Sequence, residues 1–317
     1  MKINNLKSFD TPILFIIFRR KDTASQVINA IAKVKPKKLY ISQDGPRNPE
    51  EKKEVLETRE AVLSKINWDC QLTVWTHKKN LGLKKHIPGA LDRFFEKEEC
   101  GIYLEDDTLP SKDFFYFEQK LLEKYRNDKR IFSINGTNFY PDKIKSNDSY
   151  YLSKIGDIWG FGLWRRSWKL YHSGMEDIEK ISKTSEYKDY FFSRKYKFYL
   201  ETFWKAIRRR KLDSWAMQLV YTAVRNNMYF ITPKCNLVNN VGTNKKASNP
   251  SLQTYYQDLG NPFPIDHPGG LVYEKTKDTV YFDNMLKMGW IRLLLIRIYL
   301  FLPSDFKKTV NSIIKKI

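Results

Sequence analysis

Ile13-Leu-Phe-Ile-Ile-Phe18 is an unbroken apolar run of β-branched and aromatic residues, the composition of a strand buried on both faces. Such a strand needs cover above and below. Residues 23–35 set Val27, Ile28, Ile31 and Val34 at helical spacing, and Lys38-Leu-Tyr-Ile-Ser42 then reads as a second strand. A β-α-β opening predicts a parallel pair joined by a right-handed crossover. Gln43-Asp44-Gly45-Pro46 closes it as a turn. The alternation continues with a charged amphipathic helix over 50–66, a strand over 71–75, a helix over 87–98 and a strand over 101–104. A helix over 114–126 and a strand over 131–134 follow. The pattern predicts an α/β fold: a mixed, mostly parallel sheet flanked by helices, with ligands at the carboxyl ends of strands. Residues 150–231 mix aromatics, charged helices and a Trp-Gly-Phe-Gly turn without declaring their order, and the chain then becomes loop-like from Pro233 to Pro268-Gly-Gly270.

Charge and hydropathy restrict the partners. Hydrophobic residues make up 42% of the 317-residue chain and aromatics 15%, which excludes disorder for its bulk. Lys and Arg number 56 against 36 Asp and Glu, a net +20 that attracts phosphates, anionic lipid and nucleic acid alike. Cys70, Cys100 and Cys235 are widely spaced and never form a CxxC pair, which argues against a disulfide framework or a zinc site. The polar opening and the short apolar run behind it do not read as a secretory leader, so a cytoplasmic protein is expected. The stretch 288–302 is too short, and with Arg292 and Arg297 too charged, to span a bilayer. Beyond Pro303, Val310, Ile313, Ile314 and Ile317 alternate with lysines at helical spacing. A basic amphipathic helical tail over 286–317, peripheral on an anionic membrane surface or packed on the protein, is therefore expected.

Glu105-Asp106-Asp107 directly follows the strand 101–104. Carboxylates at that end of a parallel strand are placed where an open sheet binds its ligands. A hard divalent ion such as Mn2+ or Mg2+ is held by one or two carboxylates plus substrate phosphates, and it neutralises the charge growing on a leaving diphosphate. The same triplet also reads as a capped loop, with Ser111 and Asp113 starting the next helix.

The motif order resembles the GT-A glycosyltransferases, closest to the family of the Golgi N-acetylglucosaminyltransferase that initiates complex N-glycans and its bacterial relatives. Leu39-Tyr-Ile-Ser-Gln-Asp-Gly45 is similar to that family's second strand, which implies that Asp44 contacts the base and ribose of a UDP-type donor. Tyr103 to Phe117 resembles its metal motif and the helix behind it, which implies that Asp107 is the metal ligand, with Glu105 and Asp106 on the nucleotide-sugar. The family's arginine after the first strand maps to Arg19 or Arg20. Trp159-Gly-Phe-Gly-Leu-Trp164 resembles the turn beside sugar and acceptor, which implies roles for Trp159 and Gly160. Asp213-Ser-Trp215 falls where the catalytic base precedes a helix, and Asn236 to Gly242 is similar to a strand and loop near the donor phosphates. Relatives often carry a His-Thr element soon afterwards, where this chain has Ala247-Ser248-Asn249.

The resemblance implies an inverting transfer from a nucleotide diphosphate to a hydroxyl of a glycan or lipid-linked glycan in cell-surface glycan synthesis. It implies a domain over 1–285, with a nucleotide half over 10–135 and an acceptor half over 136–285. Each residue has a rival reading: Asp44 as a tight-turn residue, Asp213 as a helix cap, Arg19 and Arg20 as solvated charges, Trp159 and Trp164 as core aromatics. His77, His86, His172 and His267 lack ligand spacing. A sugar nucleotidyltransferase would need a Gly-rich loop after the first strand, and Phe18-Arg-Arg-Lys-Asp-Thr23 has no glycine. A nonenzymatic nucleic-acid binder is the rival raised by Arg208-Arg-Arg-Lys211, but a basic run is commonly a solvated helix face, so no nucleic-acid partner is expected.

Overall fold

The apolar run that opens the chain becomes strand β1 (Ile13–Ile17), every residue of it buried. A computed structural model describes residues 9–242, 258–287 and 289–302. Helix α1 (Lys21–Ala32), β2 (Lys38–Gln43), α2 (Glu51–Leu63), β3 (Gln71–Thr76), α3 (Leu83–Lys97) and β4 (Cys100–Glu105) follow in the expected alternation. β5 (Thr108–Pro110), α4 (Lys112–Lys124), β6 (Ile131–Asn135), β7 (Tyr150–Ser153), β8 (Phe161–Trp164) and α5 (Arg165–Trp168) come next. The helices α6 (Ile178–Ile181), α7 (Ser185–Tyr190), α8 (Arg194–Arg208) and α9 (Ala216–Arg225) precede β9 (Tyr229–Pro233) and β10 (Val238–Asn240). Helices α10 (Lys275–Leu286) and α11 (Gly289–Phe301) close the described chain.

The described residues of Met1–Leu170 and Met228–Tyr273 form one compact unit, and those of Tyr171–Asn227 and Glu274–Ile317 form another. The first holds an eight-stranded sheet in the order β3-β2-β1-β4-β8-β6-β9-β7, and a two-stranded ribbon of β10 and β5. β1 runs parallel to β2 and to β4, and β2 parallel to β3, whereas β8 is antiparallel to both β4 and β6. Strand alternation separates the two faces. Ile13, Phe15, Ile17, Leu39, Ile41, Ile102 and Leu104 pack with Val27, Ile28 and Ile31 of α1 and Phe114, Phe117 and Leu121 of α4. Tyr40 turns to the other face, against Phe94 of α3 at 5.0 Å between ring centroids. Phe94 lies so close to Gly101 that a Cβ there would sit 2.3 Å from the ring.

Helix α3 begins four residues before the expected Ile87. Its first turn is polar apart from Leu83, so apolar spacing does not reveal it; the start is set instead by Gly82, at φ 75°. The second unit is helical and aromatic. Trp204 of α8 meets Tyr221 of α9 edge-on at 5.3 Å, and Phe282 of α10 packs on Tyr196 and Tyr199 of α8. Among the described residues no helix is long and apolar enough to cross a membrane. The expected tail begins as α11; the amphipathic segment expected beyond Pro303 and the Ala247-Ser248-Asn249 stretch lie outside the described residues.

Candidate functional site

Strand order creates the site before any side chain does. From β1 the chain crosses to β2 on one side, whereas the strand on its other side is β4, a reversal of strand order beside which open α/β sheets place their ligands at the carboxyl ends. Register places Ile16 opposite Glu105, so Phe18, Arg19 and Arg20 emerge beside Asp106 and Asp107. The Phe18 N–H donates to Asp106 Oδ2 at 3.0 Å, which ties one loop to the other. The Arg20 guanidinium donates to Asp106 Oδ1 at 3.4 Å and more closely to Asp107 Oδ2.

Charge at this edge is unbalanced. Burial pushes the carboxyls of Glu105 and Asp106 well above the usual carboxylate range, and the neighbouring Asp107 pushes them further. Burial opposes the charge on Arg20, but Asp107 and Asp106 outweigh it and hold the guanidinium protonated. One guanidinium thus faces three carboxyl groups. Among the described residues no group of three or more His, Cys, Asp or Glu side chains forms a ready-made metal cage. The oxygen-only donors nevertheless fit a hard divalent ion that takes its other ligands from phosphate and water. Asp106 braces the Phe18 backbone and Asp107 takes Arg20, so an ion held here would share these carboxylates with the guanidinium.

A second segment closes on Asp107. β10 pairs antiparallel with β5, Asn240 opposite Thr108, and the Val241 N–H donates to the Asp107 carbonyl at 2.8 Å. The next residue is Gly242, where a Cβ would lie 2.4 Å from Asp107 Oδ2. Only a glycine leaves that carboxylate its space. The signal for this contact was the resemblance of 236–242 alone; nothing in local spacing indicates that Gly242 meets Asp107.

The remaining sequence candidates have different placements. The Asp44 carboxylate is buried and accepts the N–H groups of Gly45 and Leu81, each at 2.8 Å, and of Gly82 at 3.0 Å, fastening the end of β2 to the start of α3. His86 supports the same junction, 2.9 Å from Ser42 Oγ, and burial pushes its imidazole down to about 4. Arg19 turns away to α2, 3.0 Å from Glu54 and 3.4 Å from Glu51. Gly160 adopts φ 72°, and a Cβ there would press on Val238 and Leu104 at 3.1 and 3.2 Å. Half-buried Trp159 meets Phe139 edge-on at 5.0 Å, whereas Trp164 is core and donates its indole N–H to the Leu122 carbonyl. Asp213 belongs to the second unit, exposed in the loop before α9, where Ser214 rather than Asp213 accepts the Met217 N–H.

Asp157 is a residue that sequence reasoning missed. Its carboxylate accepts the Ile158 N–H at 2.6 Å, the Trp159 N–H at 3.4 Å and a closer bond from the Thr137 hydroxyl, and burial raises it to about 6 against the two backbone bonds. Asp157 therefore shapes the turn that carries Trp159 and Gly160. A single Asp two residues before a Trp carries no recognisable signal.

No protein-family model and no curated protein sequence matches the chain. Among solved structures it is similar to the crystal structure of the glycosyltransferase GlyE of Streptococcus pneumoniae TIGR4, with a TM-score of 0.31 and 10% sequence identity. The match covers 76% of this chain and 57% of that one, so the chain spans less than two thirds of the length of the structure it matches.

Proposed function

We propose that the chain is a divalent-metal-dependent glycosyltransferase of GT-A type that moves a sugar from a nucleotide diphosphate, UDP first among the candidates, to an acceptor hydroxyl. The observation that carries this reading is the meeting of Arg20 with Asp106 and Asp107 at the carboxyl ends of β1 and β4. The order of motifs along the chain supports it. Asp107 holds Mn2+ or Mg2+, which when bound screens the negative charge of the leaving diphosphate. Arg20 supplies a positive charge and a planar donor fork beside that position, suited to phosphate oxygens. Asp44 orders the β2–α3 junction and offers its remaining acceptor capacity to the ribose and base. Asp213 takes the proton of the acceptor hydroxyl, because a sugar hydroxyl is a weak nucleophile until that proton leaves. In the inverting reading the acceptor oxygen bonds to the anomeric carbon as the bond to the diphosphate breaks. The acceptor proposed is a glycan or lipid-linked glycan.

Calorimetry with nucleoside diphosphates, with and without manganese, tests the donor site. Binding that needs both nucleotide and metal is the expected result. Equal affinity with and without the ion, or salt-sensitive binding of oligonucleotides in place of nucleotides, would overturn the reading. A donor-hydrolysis screen across nucleotide sugars then identifies the sugar.

A further inference from the structure

Helix α11 presents an apolar face to solvent. Leu293 and Leu300 are buried, but Trp290 is 45% exposed, Ile291 60%, Leu294 51% and Ile298 53%. Their spacing puts these four side chains on one side of the helix. A face of this kind is not an ordinary soluble surface, where large apolar side chains occur singly.

The surroundings are cationic. Helix α11 contains Arg292 and Arg297 and no acidic residue. The Arg297 guanidinium lies 5.0 Å from the centroid of the Phe198 ring. At the far end of the helix, Lys205 Nζ and Arg209 Cζ stand over the Phe301 ring at 6.0 and 5.7 Å. Lys205 and Arg209 also line a cavity of about 460 Å³ with Arg208, Tyr187 and Glu201. The acids near that cavity have partners: Glu179 takes Arg208 at 3.1 Å, and Glu201 accepts from the Tyr187 hydroxyl at 3.0 Å. Among the described residues, neither Lys205 nor Arg209 has a carboxylate within ion-pair distance. Arg210 and Lys211 extend the exposed positive run.

We propose that the second unit docks on an anionic phospholipid bilayer, with Trp290, Ile291, Leu294 and Ile298 of α11 at the acyl boundary and Lys205, Arg208, Arg209 and Arg297 on the headgroup phosphates. An anionic bilayer satisfies both halves of the surface at once. Apolar side chains leave water while the cations remain at the phosphate level, where long Lys and Arg side chains reach readily. A second copy of the chain fits less well, because a two-fold contact through this face sets the same cations against each other, and the chain carries +20 in all. A nucleic acid would engage the cations and leave the apolar face in water. Helix α11, at 13 residues, spans about 20 Å and cannot cross the hydrocarbon layer, so it lies along the surface. The proposal stands independently of the transferase reading.

The test is co-sedimentation of the full chain with vesicles of phosphatidylcholine alone and of phosphatidylcholine with phosphatidylglycerol. The expected result is binding to the anionic vesicles at low salt, loss of it at high salt, and little binding to the neutral ones. Combined Ile291→Ser, Leu294→Ser and Ile298→Ser should weaken partitioning about tenfold or more. Lys205→Gln and Arg209→Gln should each weaken it roughly fivefold. Circular dichroism checks that the variants keep their helices, and Ile291→Glu alone, at the most exposed position, reads the same face if the triple variant unfolds. Failure of the full chain to bind anionic vesicles overturns the proposal. So does unchanged binding by Ile291→Glu, or a solution dimer that the same substitutions dissolve into monomers.

Discussion

Asp106 in the first unit and Asp177 in the second are both held by the protein, yet their carboxyls shift in opposite directions. At Asp106, burial and the neighbouring Asp107 outweigh Arg20 and the Phe18 N–H, and the carboxyl is raised. At Asp177, burial also opposes the charge, but the Tyr221 hydroxyl and the Arg225 guanidinium, each at 2.6 Å, and His172 at 3.1 Å prevail, and the carboxyl is lowered. Desolvation is common to both; the balance of neighbouring charge decides the sign. The first unit therefore crowds carboxyl groups that one guanidinium does not hold fully ionised, at the sheet edge where open α/β sheets place ligands. The second satisfies half-buried Asp177 internally and leaves cations such as Lys205 and Arg209 on the surface. In the readings proposed above, a cation enters the first region and an anionic surface meets the second.

The largest expected effect asks whether the second unit takes part in the chemistry at all. Asp213→Asn keeps size but cannot accept the acceptor proton, so turnover should fall by about 10²- to 10⁴-fold with donor affinity nearly unchanged, read by steady-state kinetics and calorimetry. Wild-type turnover would confine the chemistry to the first unit. Next comes the contrast between the two acids. Asp107→Ala should weaken manganese-dependent binding of a nucleoside diphosphate by about 100-fold or more, whereas Asp177→Asn should leave that binding alone and lower stability by about 1 kcal/mol. Equal effects on binding would erase the distinction between the regions.

The two units should also respond to pH with opposite signs. Asp157, raised to about 6, contributes stability that is full below its unfolded value near 3.8 and is lost as pH rises through 6. Asp157→Asn should therefore gain on the wild type by roughly 2 kcal/mol between pH 4 and pH 8 in urea titrations. Asp177, lowered in the fold, contributes stability present above about 3.8 and lost as pH falls through its folded value, so the deficit of Asp177→Asn should shrink in acid. Matching slopes for the two variants would show that neighbouring charge does not separate them.

Smaller effects sharpen the map of the first unit. Gly242→Ala puts a Cβ where Asp107 Oδ2 now lies and should weaken metal-dependent nucleotide binding about tenfold, with little loss of stability. Arg19→Gln breaks an exposed pair with Glu54 and a longer one with buried Glu51, which keeps its pair with Arg47, so stability should fall by less than about 1 kcal/mol and nucleotide affinity should hold. A large loss of affinity in Arg19→Gln would move the nucleotide contact from Arg20 to Arg19.

By itself the sequence determined the parallel half of the sheet and the position of its acidic edge. A strand buried on both faces needs an unbroken apolar run, as in β1 and β4, and its crossover helices need apolar residues at helical spacing, so both patterns are local and readable. The triplet at 105–107 was legible for the same reason, since it begins where the apolar run of β4 stops. Tertiary structure decided what depends on residues distant in the chain. It inserted β8 antiparallel between β4 and β6, turned Arg20 to the carboxylates and Arg19 to α2, and bent Asp44 onto the N–H groups of Leu81 and Gly82. It also set Gly242 against Asp107, and grouped residues 171–227 with the helices after 274. None of these leaves a local signature. A carboxylate or guanidinium has the same spacing in the sequence whichever partner it meets, and only three-dimensional proximity settles which charge it balances.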